Sequence, residues 1–341
     1  MTKWLETLGK DEDVVVSTRL RVARNIEKYR FPELMSIEEA NDLTEEILNA
    51  VKDSQYKYKF YRTKDIPYIE RSMFVEEHLI SPTLLKRAEK SSFLLSEDEK
   101  STIMINEEDH IRIQVVLSGS NMEEGWKICS EIDDLLEKDI EYSFHEKFGY
   151  LTSCPTNVGT GLRASVMVHL PCVSMTGHLN TMMEALRKIG LTVRGIYGEG
   201  TKGLGNLYQI SNQTTLGEKE EDIIKKLNKV IYQIVTRERS TRKYLEEKKG
   251  LELQDKIFRS LGIIKYSRLI SSKESMLHLS NVKLGCDMGI IKGMSSKEIV
   301  KLMIDIQPAS IQINMGKSMV KEERDVNRSE IIRNQLTRLE D

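Results

Sequence analysis

Net charge is almost absent: 51 Lys and Arg against 53 Asp and Glu leave −2 over 341 residues. So even a balance gives no global pull toward nucleic acid or an anionic membrane. Any anion site must be made locally, by a few placed arginines. Cysteine is scarce as well. Cys129, Cys154, Cys172 and Cys286 include no CxxC pair and no zinc spacing. They fit the reduced thiols of a cytosolic protein rather than a disulfide framework. The N-terminal MTKWLETLGKDEDVVV lacks a basic-then-apolar signal pattern, and no segment approaches transmembrane length. A cytoplasmic location is therefore expected, with neither membrane nor nucleic acid as a direct partner. The six histidines are scattered and none pairs at metal spacing, so no metal site built by the protein is expected. Two tryptophans against fifteen methionines point to a core filled partly by flexible side chains.

Several nucleotide and hydrolase signatures are missing too. GEGTKG matches GxGxxG, but no helical pattern follows it, so a dinucleotide fold is excluded on context. There is no GxxxxGK[ST], no HRD with DFG, and no Ser-His-Asp elbow. Internal repeats and low-complexity segments are also lacking.

What is present reads as alternating elements followed by helices. VVVSTRLRVARN is strand-like, and SIEEANDLTEEILNAV is an amphipathic helix capped at Ser36. EEGWKICSEIDDLLEKDIEYSF repeats apolar residues at helical spacing. Ala164 to Leu170 is strand-like, and TGHLNTMMEALRKIG is a helix closed by Gly190. LTVRGIYGEG and NLYQISNQ are strands around a glycine-rich turn. The charged helix that begins at EEDIIKKLNKV is expected to end at Gly250, where short helical patterns replace strand signals. That predicts a domain over 1–250 and a helical domain over 251–341.

The stretch IMINEEDHIRIQVVL puts three acids and a histidine inside a strand-like run without Gly or Pro. If extended throughout, Asn106, Glu108, His110, Arg112 and Gln114 share one face, and Ile105, Ile111, Ile113 and Val115 the other. A carboxylate and an arginine would then line a cleft wall. A hairpin tip with solvated charges is the alternative. In VVVSTRLRVARN, alternation puts Val15, Ser17, Arg19 and Arg21 on one face. The two arginines repel each other unless an anion joins them; a solvated edge strand is the other reading. In CPTNVGTGLRAS, Pro155, Gly159 and Gly161 build a turn before Arg163. In VRGIYGEG, Arg194 precedes a glycine-bracketed Glu199. Ordinary loops remain the alternative for both. Five arginines with two loop-held acids suggest a polyphosphate, because guanidinium forks bind phosphate oxygens bidentately. The leftover carboxylates suit a guanidinium partner.

This constellation resembles the phosphagen (guanidino) kinase family and, within it, the bacterial protein arginine kinases. The matching segments are STRLR, EEHLISP, NEEDHIR, CPTNVGTGLRASVM and RGIYGEG, in the family's order. The resemblance implies an α+β fold, an antiparallel sheet flanked by helices, followed by a small all-helical C-terminal domain. It implies ATP and Mg²⁺ as cofactors. By the resemblance, ATP is bound through Ser17, Thr18, Arg19, Leu20 and Arg21, with His78 by the adenine. Arg112 joins them, as does the run Arg163, Ala164, Ser165, Val166 and Met167. Arg194, Gly195, Ile196, Tyr197, Gly198 and Glu199 complete the nucleotide set. Glu108 and Glu199 are implied as the catalytic clamp on the substrate guanidinium, with Cys154 beside it. Glu108 is our choice of proton acceptor, because its strand also presents Arg112.

Two departures from small-substrate kinases matter. Their helical domain before the first arginine motif is expected to be absent, since that motif starts at Ser17. An open site of this kind admits an arginine attached to a protein. Met167 stands where those kinases often have His. Near the C-terminus, EERDVNRSEIIRNQLTRLE resembles the RDxxRA signature, with Ser329 replacing the Ala. It implies a phosphoarginine pocket at Arg324, Asp325, Arg328 and Ser329; a solvated helix is the alternative. The expected reaction turns ATP and protein arginine into ADP and protein phosphoarginine. By resemblance, the partners are protein substrates with exposed arginine, a Clp-type unfoldase and a zinc-binding activator, with a homodimer left open. A kinase of free arginine and a non-catalytic phosphoarginine adaptor are the competing functions.

Overall fold

Ser36 Oγ accepts the Glu39 backbone N–H at 3.1 Å, and the Glu39 carboxylate accepts Ser36 N–H at 2.6 Å. That reciprocal cap starts helix α1 (Ile37–Ala50), whose Leu43 and Ile47 are fully buried. The computed structural model describes residues 2–6, 8–195 and 203–337. Its strands are β1 (Val15–Arg24), β2 (Tyr58–Arg62), β3 (Ser92–Ser96), β4 (Ser101–Ile105) and β5 (Ile111–Ser118). They continue with the short β6 (Phe144–His145) and β7 (Gly149–Tyr150), then β8 (Leu162–His169), β9 (Leu191–Gly195) and β10 (Leu207–Asn212). Eight strands form one sheet in the order β2-β3-β4-β5-β1-β8-β10-β9, and β6 and β7 pair separately. The β2-β3-β4-β5 pairings are antiparallel, with Met104 opposite Arg112 and Ile105 opposite Ile111. β1 lies inside the sheet, not at its edge, so its arginines do not sit on a solvated rim.

The helices after α1 are α2 (Tyr68–Glu76), α3 (Pro82–Lys86), α4 (Met122–Glu137), α5 (Pro171–Met175) and α6 (Leu179–Lys188). Next come α7 (Glu220–Tyr266), α8 (Ser272–Asp287), α9 (Ser296–Asp305), α10 (Pro308–Asn314) and α11 (Lys321–Leu336). Among the described residues, none of these is long and apolar enough to cross a membrane.

The chain divides into two compact units. One comprises Met1–Leu8, Thr18–Ser165 and Ser211–Asn228; the other Gly9–Ser17, Val166–Ile210 and Lys229–Asp341. In the first, α4 packs closely because Gly125 has no side chain: a Cβ there would meet Leu20 Cδ1 at 2.5 Å. Leu20, Val22, Ile103, Ile113, Ile132 and Leu136 are buried around that contact. In the second unit, the buried Arg242 reaches Asp13 Oδ2 at 3.0 Å and Glu238 Oε1 at 3.2 Å. Glu238 in turn accepts the backbone N–H groups of Cys172 and Val173, which caps the start of α5.

One expectation from the sequence changes here and another holds. The run from Ile103 to Leu117 is not extended throughout: β4 ends at Ile105 and β5 begins at Ile111. Asn106 takes φ +55° and its N–H bonds His110 O at 2.9 Å, closing a hairpin. Nor is the tip solvated, since Glu107, Asp109 and His110 are all 0% exposed. The charges stay inside because each has a partner, as described below. The long helix breaks where expected, to within a residue: at Lys249, with φ −142° and ψ 32°, one helix ends and a second begins that runs to Tyr266.

Candidate active site

Three adjacent strands, β5, β1 and β8, bring Arg112, Arg21 and Arg163 side by side. They line a cavity of about 190 Å³ together with Glu108, Cys154, Thr156 and Asn157. That volume is below the roughly 300 Å³ at which ligand pockets usually begin. It suits the reacting ends of two substrates, not a whole nucleotide.

The arginines strain against one another. Burial pushes the Arg21 guanidinium well below its usual pKa, and the charges of Arg19, Arg112 and Arg163 push it further; Glu107 opposes them. Arg21 Nε is buried without a hydrogen-bond partner among the described residues. A bound oxyanion would satisfy that donor and relieve the mutual repulsion, so the cluster fits a phosphate-bearing ligand. His78, on a left-handed backbone with φ +63°, is lowered to about 3 by burial and then by Arg19. It is therefore neutral, as an aromatic surface beside a base would be. Gln114 Nε2 fixes its position by donating to His78 O at 2.9 Å.

The hairpin tip supplies the opposite charge. Arg112 Nη1 pairs with Glu107 Oε2 at 2.6 Å, and Nη2 with Glu108 Oε2 at 2.9 Å. Glu107 is buried and also binds Ser81 Oγ and the Glu108 backbone N–H. Glu108 is 39% exposed and opens onto the cavity. Next to it, Asp109 Oδ1 accepts from Asn25 Nδ2 at 2.8 Å and from the Ser153 N–H at 2.6 Å. That tie joins the residue after Glu108 to the residue before Cys154. His110 Nδ1 accepts the Ile26 N–H at 3.0 Å, and Nε2 donates to Arg30 O at 2.8 Å. Burial lowers its pKa, in keeping with a neutral ring.

The loop before β8 needs glycine. Gly159 takes φ +112°, and a Cβ there would sit 2.3 Å from Thr215 O. Gly161 takes φ +65°, with Ala23 O 2.5 Å from the same position. Arg24 clamps this loop from below. Its Nη1 donates to Thr160 O at 2.9 Å, its Nη2 meets Asp133 Oδ2 at 2.6 Å, and its guanidinium lies 3.5 Å from the Tyr150 ring centroid. Arg163 Nη2 donates to Ser211 Oγ at 3.3 Å. Cys154 Sγ lies 3.0 Å from Thr156 Oγ1.

Other residues expected at the site have different surroundings. Leu20 is core, and Thr18 Oγ1 donates to Gly119 O at 2.7 Å. Ala164 N–H donates to Asn212 Oδ1, and Ser165 Oγ to Arg19 O. Ser17, Val166, Met167, Arg194 and Gly195 belong to the other unit, where Ser17 and Val166 are buried and Arg194 is exposed. Ile196, Tyr197, Gly198 and Glu199 lie outside the described residues. Arg328, 1% exposed, pairs with Asp325 and donates to Ile306 O at 3.0 Å and Ile270 O at 2.9 Å. Ser329 Oγ donates to Arg268 O, and Arg324 Nη1 to Met319 O at 2.7 Å. This face of α11 is buried, so it is not a solvated one.

Sequence reasoning missed Glu107, Asp109, Asn25 and Arg24. Glu107 and Asp109 stood within NEEDH, and three consecutive acids were a signal that one role was too few. Arg24 lies on the opposite strand parity from Arg19 and Arg21, which marks it as facing elsewhere.

Comparison with known proteins decides the family. The model of the ATP:guanido phosphotransferase C-terminal catalytic domain matches residues 39–241, and that of the protein-arginine kinase McsB C-terminal domain matches 250–341. The chain belongs to the ATP:guanido phosphotransferase family. Within this family it falls in the protein-arginine kinase branch. The protein-arginine kinase of Halothermothrix orenii is 45% identical over 98% of this chain and 97% of its own length. That of Halalkalibacterium halodurans is 46% identical over 100% of this chain and 96% of its own. The crystal structure of a lombricine kinase superposes with a TM-score of 0.59 at 24% identity, covering 70% of this chain and 71% of that one. The guanido phosphotransferase fold, an antiparallel sheet flanked by helices with a helical C-terminal region, is thus the fold of this chain.

Proposed function

We propose that the protein transfers the γ-phosphoryl group of ATP to the guanidinium of arginine residues in proteins, giving ADP and phosphoarginine. One observation carries the reading: a half-buried, mutually repelling arginine cluster shares a cavity with Glu108. The cations suit a polyphosphate and the acid suits a guanidinium, so donor and acceptor meet at one boundary. Arg19, Arg21, Arg112 and Arg163 hold the phosphates in this reading, with Arg194 added to them. Mg²⁺ bound with ATP would supply further charge neutralisation beside these arginines.

A protonated guanidinium has its pKa above about 12 and is no nucleophile. Glu108 orients it in line and accepts its proton as the N–P bond forms; Glu199 is the second jaw. Most of the rate then comes from alignment and charge stabilisation. The names of the curated relatives and the segment matched at 250–341 support protein-borne arginine over free arginine. The reading extends to the finer expectations: a cytoplasmic enzyme of protein quality control, whose product marks proteins for a Clp-type unfoldase, with a zinc-binding activator. It also assigns phosphoarginine to Arg324, Asp325, Arg328 and Ser329. There Asp325 would exchange its bond to Arg328 for the ligand's guanidinium, leaving Arg328 for the phosphate.

The test supplies labelled ATP with either free arginine or an unfolded arginine-bearing protein. Acid-labile label on the protein, and little on free arginine, is the expected result. Label on free arginine alone, or acid-stable label, overturns the reading.

A further inference from the structure

The arginine–Glu108 cavity, about 190 Å³, has room for a guanidinium and a phosphoryl group. A polypeptide carrying that guanidinium must lie outside it, on the surface of the same unit. Two apolar outcrops of this unit are fastened to the residues next to Glu108. Phe31 and Leu34 stand on the loop before α1, Phe144 and Phe148 on the β6–β7 hairpin, each between 42% and 69% exposed. The first loop is held by the His110 ring, which takes the Ile26 N–H and donates to Arg30 O. The hairpin is held through Asn25: Nδ2 donates to both Asp109 Oδ1 and Leu151 O, and its carbonyl accepts the Ser143 N–H at 2.7 Å. A bridge between Ile26 and Tyr142 joins the two roots. Tyr150, at the hairpin's end, pairs both ways with Gly159, in the loop whose Thr156 and Asn157 line the cavity.

The hairpin rings are exposed yet fixed. Phe144 meets the Tyr150 ring edge-on at 5.2 Å between centroids, and Phe148 lies 4.8 Å from the His145 ring. Tyr150 is itself backed by the Arg24 guanidinium. Rings already held in place lose little freedom when something packs on them. Single exposed apolar side chains need no explanation, but a group of them rooted at one cavity marks a contact surface. Continuity with the cavity selects the occupant: free arginine has no flanking chain to lay on these residues, and an unfolded polypeptide has. We propose that Phe31, Leu34, Phe144 and Phe148 dock the apolar residues that flank the target arginine. The enzyme then favours arginines within hydrophobic stretches, which a folded substrate hides and an unfolded one exposes. The proposal rests on transfer to protein arginine, and adds what chooses the arginine.

The probes are two synthetic peptides with one central arginine, flanked by leucines in one and by serines in the other. N-acetylarginine amide is the small control substrate, and the full chain is used throughout. Phe144→Ser with Phe148→Ser is one variant and Phe31→Ser with Leu34→Ser the other; all four side chains are exposed, and thermal melting checks the fold. We expect the parent to favour the leucine peptide at least about fivefold in kcat/KM, mainly through KM. Each variant should lose most of that preference while transfer to the serine peptide and to N-acetylarginine amide stays unchanged. Equal kcat/KM for the two peptides in the parent, a preference that survives in both variants, or equal losses on all three substrates would overturn the proposal. So would an unchanged preference with altered sedimentation, which would assign the outcrops to contact with a second copy of the chain. Transfer to the small substrate with none to either peptide would overturn the protein-arginine reading, and the proposal with it.

Discussion

Arg112 holds Glu108 by a 2.9 Å ion pair while its other terminal nitrogen is anchored on the buried Glu107 at 2.6 Å. One guanidinium thus links the proposed phosphate cluster to the proposed base. Arg112→Ala should weaken nucleotide binding and also leave Glu108 unaligned, lowering kcat/KM on the order of 10²-fold or more. Glu107→Gln should act through Arg112 and cost less. Steady-state kinetics with a parallel nucleotide titration would check both. Unchanged nucleotide affinity in Arg112→Ala would remove Arg112 from the phosphate site.

The Arg24–Asp133 pair should be a stability element. Both side chains are buried, at 2% and 9% exposure, and the guanidinium also serves Thr160 O and the Tyr150 ring. Arg24→Ala leaves Asp133 buried and unpaired, a loss of about 3–5 kcal/mol. Urea unfolding of the parent and variant measures it. A loss under about 1 kcal/mol would mean that water replaces the pair readily.

Stability should fall on mild acidification. His78, His110 and His169 have pKa values lowered from 6.5, chiefly by burial, His78 to about 3. Below pH 6.5 the unfolded chain takes up protons at these positions and the folded chain does not. The stability contribution is complete above that value and is lost as pH drops below it, for His78 at up to about 1.4 kcal/mol per pH unit. For His78 the loss runs down to about pH 3. Melting temperatures at pH 7.5, 6.5 and 5.5 test this, with His110→Gln expected to flatten the profile. A profile level from 7.5 to 5.5 would contradict it.

Cys154 should be alkylated first among the four thiols. Burial raises the Cys129 and Cys172 thiols far above their usual range, and burial with Asp287 raises Cys286 to about 11. Cys154 is half-buried and lines the arginine cavity. Mapping iodoacetamide adducts by mass spectrometry, with and without ATP and substrate, gives the order and its protection. Earlier modification of Cys129 or Cys172 would contradict the assignment.

Much of this was legible because it is local. Ser36 with Glu39 states a cap within four residues, and the alternation in VVVSTRLRVARN states which face carries Arg19 and Arg21. The hairpin tip was misread for the opposite reason. Its acids look solvent-seeking until Arg112, Ser81, Asn25 and Ser153 are brought to them from distant positions. The same blindness hid Arg24, whose partners Asp133 and Tyr150 lie on separate elements.

The division of labour at the cavity, acid for guanidinium and arginines for nucleotide, is tested most directly by Glu108→Gln. Turnover on an unfolded arginine-bearing protein and the nucleotide dissociation constant would be measured on the same preparation. The account predicts a fall in kcat on the order of 10²-fold or more with nucleotide affinity nearly intact. Near-normal turnover, or nucleotide affinity lost in step with activity, would contradict it.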